Sequence, residues 1–175
     1  MNAVLDVHYD KQIAYAACVE FLNWNDTDSV RTIVVSTKVL SNYRPGRFFE
    51  RELPCLLAVF KKARREYESL IIDGYVFLEA PVVNGLGAHL EQALPYSTKV
   101  IGVAKNPLRV ADRFVTIFRG KSKKPLFISS VNIPMEEAAE LVSGMAGAFR
   151  IPTLIRLADK ACRGGMRGRD ARPPV

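Results

Sequence analysis

Histidine is scarce in this chain. His8 and His89 are the two present among 175 residues, so chemistry built on several imidazoles is excluded from the start. Cysteine is scarce too. Cys18, Cys55 and Cys162 lie far apart, with no CxxC pair and no His-linked spacing of the kind that marks zinc or redox centres, and are expected to be small buried apolar residues. Long hydrophobic runs are missing: stretches such as Ser69 to Ile72 break off well short of the ~18 residues a membrane span needs. No basic leader followed by a hydrophobic stretch opens the chain. These absences give the expectation of a soluble, cytoplasmic protein with no membrane partner. Acidic charge is in the minority, with 25 Lys and Arg against 18 Asp and Glu, a net charge of +7 that leans towards a polyanionic partner such as nucleic acid. With imidazole chemistry gone, carboxylates must do most of any catalysis.

What is present is enough for one core: 49% of the 175 residues are hydrophobic, and a chain of that size folds as one domain without a disulfide. Ala3 to Tyr9 is β-forming, Asp10-Lys11-Gln12 reads as a turn, and Ile13, Tyr15, Ala17, Val19 and Phe21 alternate with their neighbours. With the β-branched run Arg31 to Val39 this makes three antiparallel strands. Arg47 to Tyr67 then takes helical spacing, with Phe49, Leu53, Leu56, Phe60 and Ala63 on one face, and Pro54 either opens or kinks that helix. Leu70-Ile71-Ile72 and Lys99 to Ala104 read as buried strands around a helix from Gly85 to Ala93, which is a β-α-β-α-β order and implies a parallel portion of the sheet. Phe114 to Phe118 and Leu126 to Ser129 flank a basic connection, Arg119-Gly120-Lys121-Ser122-Lys123-Lys124-Pro125, and suggest a hairpin. Pro134 starts a helix carrying Glu136 and Glu137 in its first turn, and a last helix follows Pro152. The domain is expected to end at residue 162, with a mobile basic tail from 163 to 175. Three antiparallel strands followed by parallel α/β units is the α/β order of a ribonuclease H-like mixed sheet flanked by helices.

Four acids attract attention, and each has an ordinary alternative. Asp6 sits inside Val4-Leu5-Asp6-Val7, where a charge is unfavourable to bury unless paired or bound to a metal; otherwise it faces solvent with Val4 and His8. Asp73 ends a buried strand and precedes glycine, at the carboxyl end of the sheet where open α/β folds bind ligands, although Asp-Gly also starts ordinary turns. Glu52 borders the apolar stripe of its helix, but could equally pair with Arg51 on the surface. Asp159 has the same ambiguity beside Lys160. Together they could hold one or two magnesium ions, whose hard charge selects oxygen donors.

Read jointly, the segments carry more. Tyr43-Arg44-Pro45-Gly46, followed by Arg51-Glu52-Leu53-Pro54, resembles the endonuclease V motif of tyrosine, any residue, Pro-Gly, then Arg-Glu before another proline. Ile72-Asp73-Gly74, Gly85-Leu86-Gly87-Ala88-His89-Leu90 and Ile101-Gly102-Val103-Ala104-Lys105 resemble the second and third signature blocks of that family, and Arg150-Ile151-Pro152-Thr153 through Leu157-Ala158-Asp159 its closing block. The resemblance runs from Leu5 to Lys160. It implies a metal-dependent endonuclease that cuts one phosphodiester beyond hypoxanthine in DNA or inosine in RNA, on its 3′ side. It makes Asp6, Glu52 and Asp73 ligands of Mg2+, with Mn2+ as a substitute, Asp159 a further active-site acid, and Lys105 a cation near the scissile phosphate. Tyr43, Arg44, Pro45 and Gly46 become the wedge that holds strands apart, and Gly85 joins the nucleic-acid surface. His89 falls within a matched block without an assigned role.

Three positions depart from the pattern. Where the family carries histidine and proline after its Asp-Gly block, this chain has Glu79 and Ala80, with proline at Pro81. The sequence starts at the first strand, without the helical segment of longer members, and Ser129-Ser130-Val131-Asn132-Ile133 replaces a glycine-containing loop. Two further readings therefore stay open: a nucleic-acid-binding relative with weakened chemistry, and a ribonuclease H-like nuclease of other specificity.

Overall fold

Alternating apolar residues produce the first three strands of the computed structural model, which describes residues 1–39, 49–79, 83–107 and 113–167. Strands β1 (Asn2–Asp10), β2 (Ile13–Phe21) and β3 (Arg31–Lys38) pair antiparallel in sequence order. The β1–β2 turn closes on two residues, Lys11 and Gln12, and Lys11 takes the positive φ of 53° that such tight hairpins favour. Helix α1 (Phe49–Ala63) leads into β4 (Ser69–Asp73), followed by a small hairpin of β5 (Phe77–Glu79) and β6 (Val83–Asn84), then α2 (Leu86–Ala93) and β7 (Lys99–Ala104). Strands β8 (Val115–Ile117) and β9 (Leu126–Val131) come next, and α3 (Met135–Gly144) and α4 (Thr153–Arg167) complete the described chain.

The seven-stranded sheet has the order β3-β2-β1-β4-β7-β9-β8, with β1, β4 and β7 parallel and β9 antiparallel to both β7 and β8. Both faces are covered. Ala3, Leu5, Leu70 and Ile72 pack against Cys55, Leu56 and Val59 of α1 and Leu90 of α2. On the other face Val4, Ile71, Ile101 and Val103 pack against Ala138 and Val142 of α3 and Leu154 and Ala158 of α4. Each fully buried Leu or Ile contributes about 1.5–3 kcal/mol, which explains why the central strands are apolar on both sides. The topology is that of a ribonuclease H-like sheet.

Three expectations are corrected. Helix α1 ends at Ala63 rather than Tyr67, because Arg64 turns the chain with φ 55° and Tyr67 leaves the helix to bury its ring and donate its hydroxyl to Glu20 Oε1 at 2.7 Å. The expected β-α-β-α-β order is interrupted by the β5–β6 hairpin, which lies between β4 and α2. The tail does not begin at 163, since α4 continues helically to Arg167. Gly165 is the reason: with no side chain it lies flat on the sheet, where an added Cβ would sit 2.9 Å from Val34 Cγ1 and 3.2 Å from Tyr15 Cδ1. Tertiary contact overrides the poor helix propensity of glycine there. Cys18, Cys55 and Cys162 are buried and free, as expected.

Candidate active site

The sheet opens where β1 and β4 part. Strand β1 stays paired with β2 to Asp10, but its ladder with β4 ends at Leu5↔Ile72. Asp6 and Asp73, next in register on the two strands, therefore stand at the mouth of the split, the usual ligand position in open α/β sheets. Asp73 pairs with Val103 of β7, and Lys105 follows two residues later. The two-residue period puts Asp6 with Val4, Asp73 with Ile71, and Lys105 with Val103, all on the face covered by α3 and α4. Helix α4 lays Asp159 and Cys162 over the same mouth. Glu52 enters from α1, on the opposite face, and is buried despite its charge.

Close backbone packing shapes the turn after Asp73. A Cβ at Gly102 would meet Gly74 O at 2.5 Å and Ser129 Oγ at 2.6 Å, and one at Gly85 would meet Tyr75 O at 2.6 Å. Ser129 Oγ accepts a 2.9 Å hydrogen bond from the Val76 amide and pins the turn against β9. Ser129, in the segment that stands in place of the family's glycine-containing loop, thus has a packing partner of its own.

The charges are poorly balanced. Lys105 Nζ lies 2.5 Å from Asp73 Oδ2, and Arg163 Nε donates to Asp159 Oδ1 at 2.8 Å. Asp6 Oδ1 accepts only the neighbouring Val7 amide at 2.8 Å among the bonds described, with the Cys162 thiol 3.8 Å from its Oδ2. Among the described residues, Asp6, Asp159 and Cys162 form the one group of three whose potential ligand atoms all lie within 4.8 Å of one another. Glu52 and Asp73 flank that group without joining it. Burial, then the charge of Asp73, pushes the Asp6 carboxyl up to about 6. Glu52 is pushed up to about 9 by burial and by the charges of Asp6 and Asp73. Burial opposes the charge on Lys105, yet its bond to Asp73 and the charges of Asp73, Asp6 and Asp159 raise it overall. Acids whose carboxyls are pushed up by burial and by one another's charge are ones a hard divalent cation would relieve, and their oxygens suit magnesium or manganese. Cys162 is a poor competitor, since burial and the two aspartates push its thiol up to about 12. The residues fit a divalent ion.

The remaining candidates divide. Tyr43, Arg44, Pro45 and Gly46 lie outside the described residues, as does the Glu79 side chain. Gly85 is buried in backbone contact with Tyr75 and Val76, so its observed role is packing. His89 stacks on Phe49 at 3.7 Å between ring centroids, where it joins α2 to α1, and burial lowers its pKa. Sequence reasoning gave no role to Cys162, although its i, i+3 relation to Asp159 puts both on one helix face. It also gave none to Arg150, whose Nη2 donates to the carbonyls of Lys105 and Pro125 at 2.5 Å each, a link no local pattern signals. Among the described residues no helix is long and apolar enough to cross a membrane.

A family model described as Endonuclease V matches residues 2–117. Endonuclease V of Pyrococcus abyssi is 30% identical over 163 residues, covering 93% of this chain and 78% of that protein. Endonuclease V of Streptomyces avermitilis is 29% identical over 181 aligned positions, covering 91% and 77%. The catalytic domain of human Endonuclease V shares the fold with a TM-score of 0.80 at 24% identity and covers 98% of this chain and 84% of that one. Ciona intestinalis Endonuclease V, solved in complex with a 24mer DNA containing an inosine followed by a ribo-adenosine, gives a TM-score of 0.78 at 21% identity and covers 96% and 86%. With most of its length inside the family model and relatives matched along nearly all of it, the chain belongs to the endonuclease V family.

Proposed function

We propose that this protein is a metal-dependent endonuclease that hydrolyses a phosphodiester on the 3′ side of deaminated adenine, hypoxanthine in DNA or inosine in RNA. The observation that carries this reading is the convergence of Asp6, Glu52, Asp73 and Asp159 from four separate elements on one split in the sheet, with Asp6 and Glu52 raised by burial and by neighbouring acids. Asp6, Glu52 and Asp73 would hold the ion. Magnesium or manganese, when bound, supplies Lewis acidity that activates water and stabilises the leaving oxygen. Asp159, oriented by Arg163, serves as the auxiliary acid. Lys105 carries the positive charge that offsets the scissile phosphate, and Arg150 holds the backbone of Lys105 in place. The wedge role of Tyr43, Arg44, Pro45 and Gly46 rests on family resemblance, as does the choice of base; the inosine-containing DNA bound by the Ciona protein supports that choice. Glu79, in place of the family histidine, favours a second reading: a nucleic-acid-binding relative with weakened chemistry.

Matched single-stranded DNA and RNA oligonucleotides, each with and without one hypoxanthine, in magnesium or manganese, test the proposal. Cleavage confined to modified strands, one phosphodiester beyond the base, is the expected result. Binding without cleavage would favour the second reading, and equal cleavage of plain strands would point to another specificity. Lys105→Met provides a finer check. It should slow single-turnover cleavage by about 10²-fold, since one preorganised charge is removed. Manganese affinity measured by calorimetry should hold or improve, because Asp73 loses its competing ion pair. Loss of manganese binding in parallel with rate would make Lys105 a structural support instead.

A further inference from the structure

A cavity of about 550 Å³ opens between the β8–β9 connection and the segment joining α3 to α4. Lys121 and Ser122 form one wall, Phe149 and Ile151 the other, and Arg156 of the first turn of α4 closes one end. Phe149 is 64% exposed, a large aromatic face left in water, with the Arg156 guanidinium 5.0 Å from its ring centroid. This cleft is built rather than incidental. Arg119, 6% exposed, lies beneath it and donates to the carbonyls of Ser143, Met145, Gly147 and Phe149. Gly120 takes φ +60°, and a Cβ there would sit 2.3 Å from Ala148 O, so the two walls are locked together.

We propose that this cleft is a nucleic-acid subsite, in which an unpaired base of the bound strand stacks on Phe149 while its phosphate meets Lys121 and Arg156. The proposal rests on the nuclease reading above and extends it to a segment of strand away from the cut. Charge is complementary: among the described residues no carboxylate lines the cleft, and Lys123 and Lys124 are exposed on the same connection. Two arginines also link the cleft to the acids. Arg150 joins its floor to the Lys105 carbonyl, and Arg156 also lines the neighbouring cleft that contains Asp159 and Lys160. An aromatic face between cations is the usual platform for single strands, since every base offers a π-face and every phosphate a charge. Duplex DNA keeps its bases stacked and would gain only the charge contacts.

The test uses the full chain in EDTA, so that binding is read without cleavage, and fluorescence anisotropy with labelled single strands carrying one hypoxanthine. One strand ends close to the base on either side; the others extend in one direction or the other. Wild type should bind one extended strand more tightly than the short one. Phe149→Ala should remove that gain, about tenfold, and leave binding of the short strand unchanged. Phe149→Trp should restore it. Lys121→Glu should weaken the same extended strand and reduce the slope of log affinity against log salt by about one. Unchanged binding of every length in Phe149→Ala and Lys121→Glu, or equal losses on short and long strands, would overturn the subsite. Failure of wild type to bind or cleave any hypoxanthine strand would instead remove the nuclease reading beneath it.

Discussion

Asp73→Asn should lower cleavage of a hypoxanthine-containing strand by about 10³-fold or more, because it removes one charge from the acids that would hold the metal. The side chain keeps its shape and is 34% exposed, so no cavity opens and no core contact is lost. Its ion pair with Lys105 disappears, but so does its repulsion of Asp6 and Glu52. The metal-free variant should therefore melt no lower than the wild type at pH 8, and far-ultraviolet circular dichroism should be unchanged. Full activity in this variant would remove the metal mechanism; a collapsed melting temperature would show that Asp73 is primarily structural.

The second large effect is on stability. Folding raises Glu52 from 4.5 to about 9 and Asp6 from 3.8 to about 6. Between those limits the folded metal-free chain binds more protons than the unfolded chain, so this contribution is fully present below the ordinary carboxylate values. It is lost as pH rises through about 6 for Asp6 and about 9 for Glu52. The melting temperature of the metal-free protein should accordingly fall from pH 5 to pH 9. Magnesium or manganese at a hundredfold excess over its Kd should restore about 2.7 kcal/mol, roughly 5–10 °C for a chain of this size. At a fixed metal concentration the increment should grow with pH, since the acids must be deprotonated to bind an ion and Kd falls as they are. Scanning calorimetry with and without metal measures both trends, and a metal increment that shrinks as pH rises would contradict the arrangement of acids described above.

Most of the strands were legible because alternation and β-branching are local signals, and the parallel order followed from apolar runs separated by one helix. The face that Asp6 uses was not legible. Val4 and His8 suggested solvent, whereas α4, more than 140 residues later in the chain, covers that side. Glu52 looked equally like a surface ion-pair partner of Arg51, but Arg51 lies over the Tyr9 ring at 4.4 Å and Glu52 turns inward. Arg119 read as part of a basic connection and proves to be buried, because the carbonyls it binds come from a segment about 30 residues away. Glycines misled in the other direction: Gly164 and Gly165 suggested a tail, when the sheet beneath Gly165 requires a residue without a side chain.

That close approach at Gly165 gives α4 the character of a strut seated at its far end. Asp159 lies six residues earlier on the same helix, about 9 Å along its axis. A methyl group at 165 has no room between Val34 and Tyr15 unless the helix lifts by a few tenths of an ångström, and a stiff helix transmits that tilt to the carboxylate. Variation beneath the helix can therefore trim the position of the Asp159 carboxylate from the opposite end of the strut, with no change to any residue of the proposed metal site.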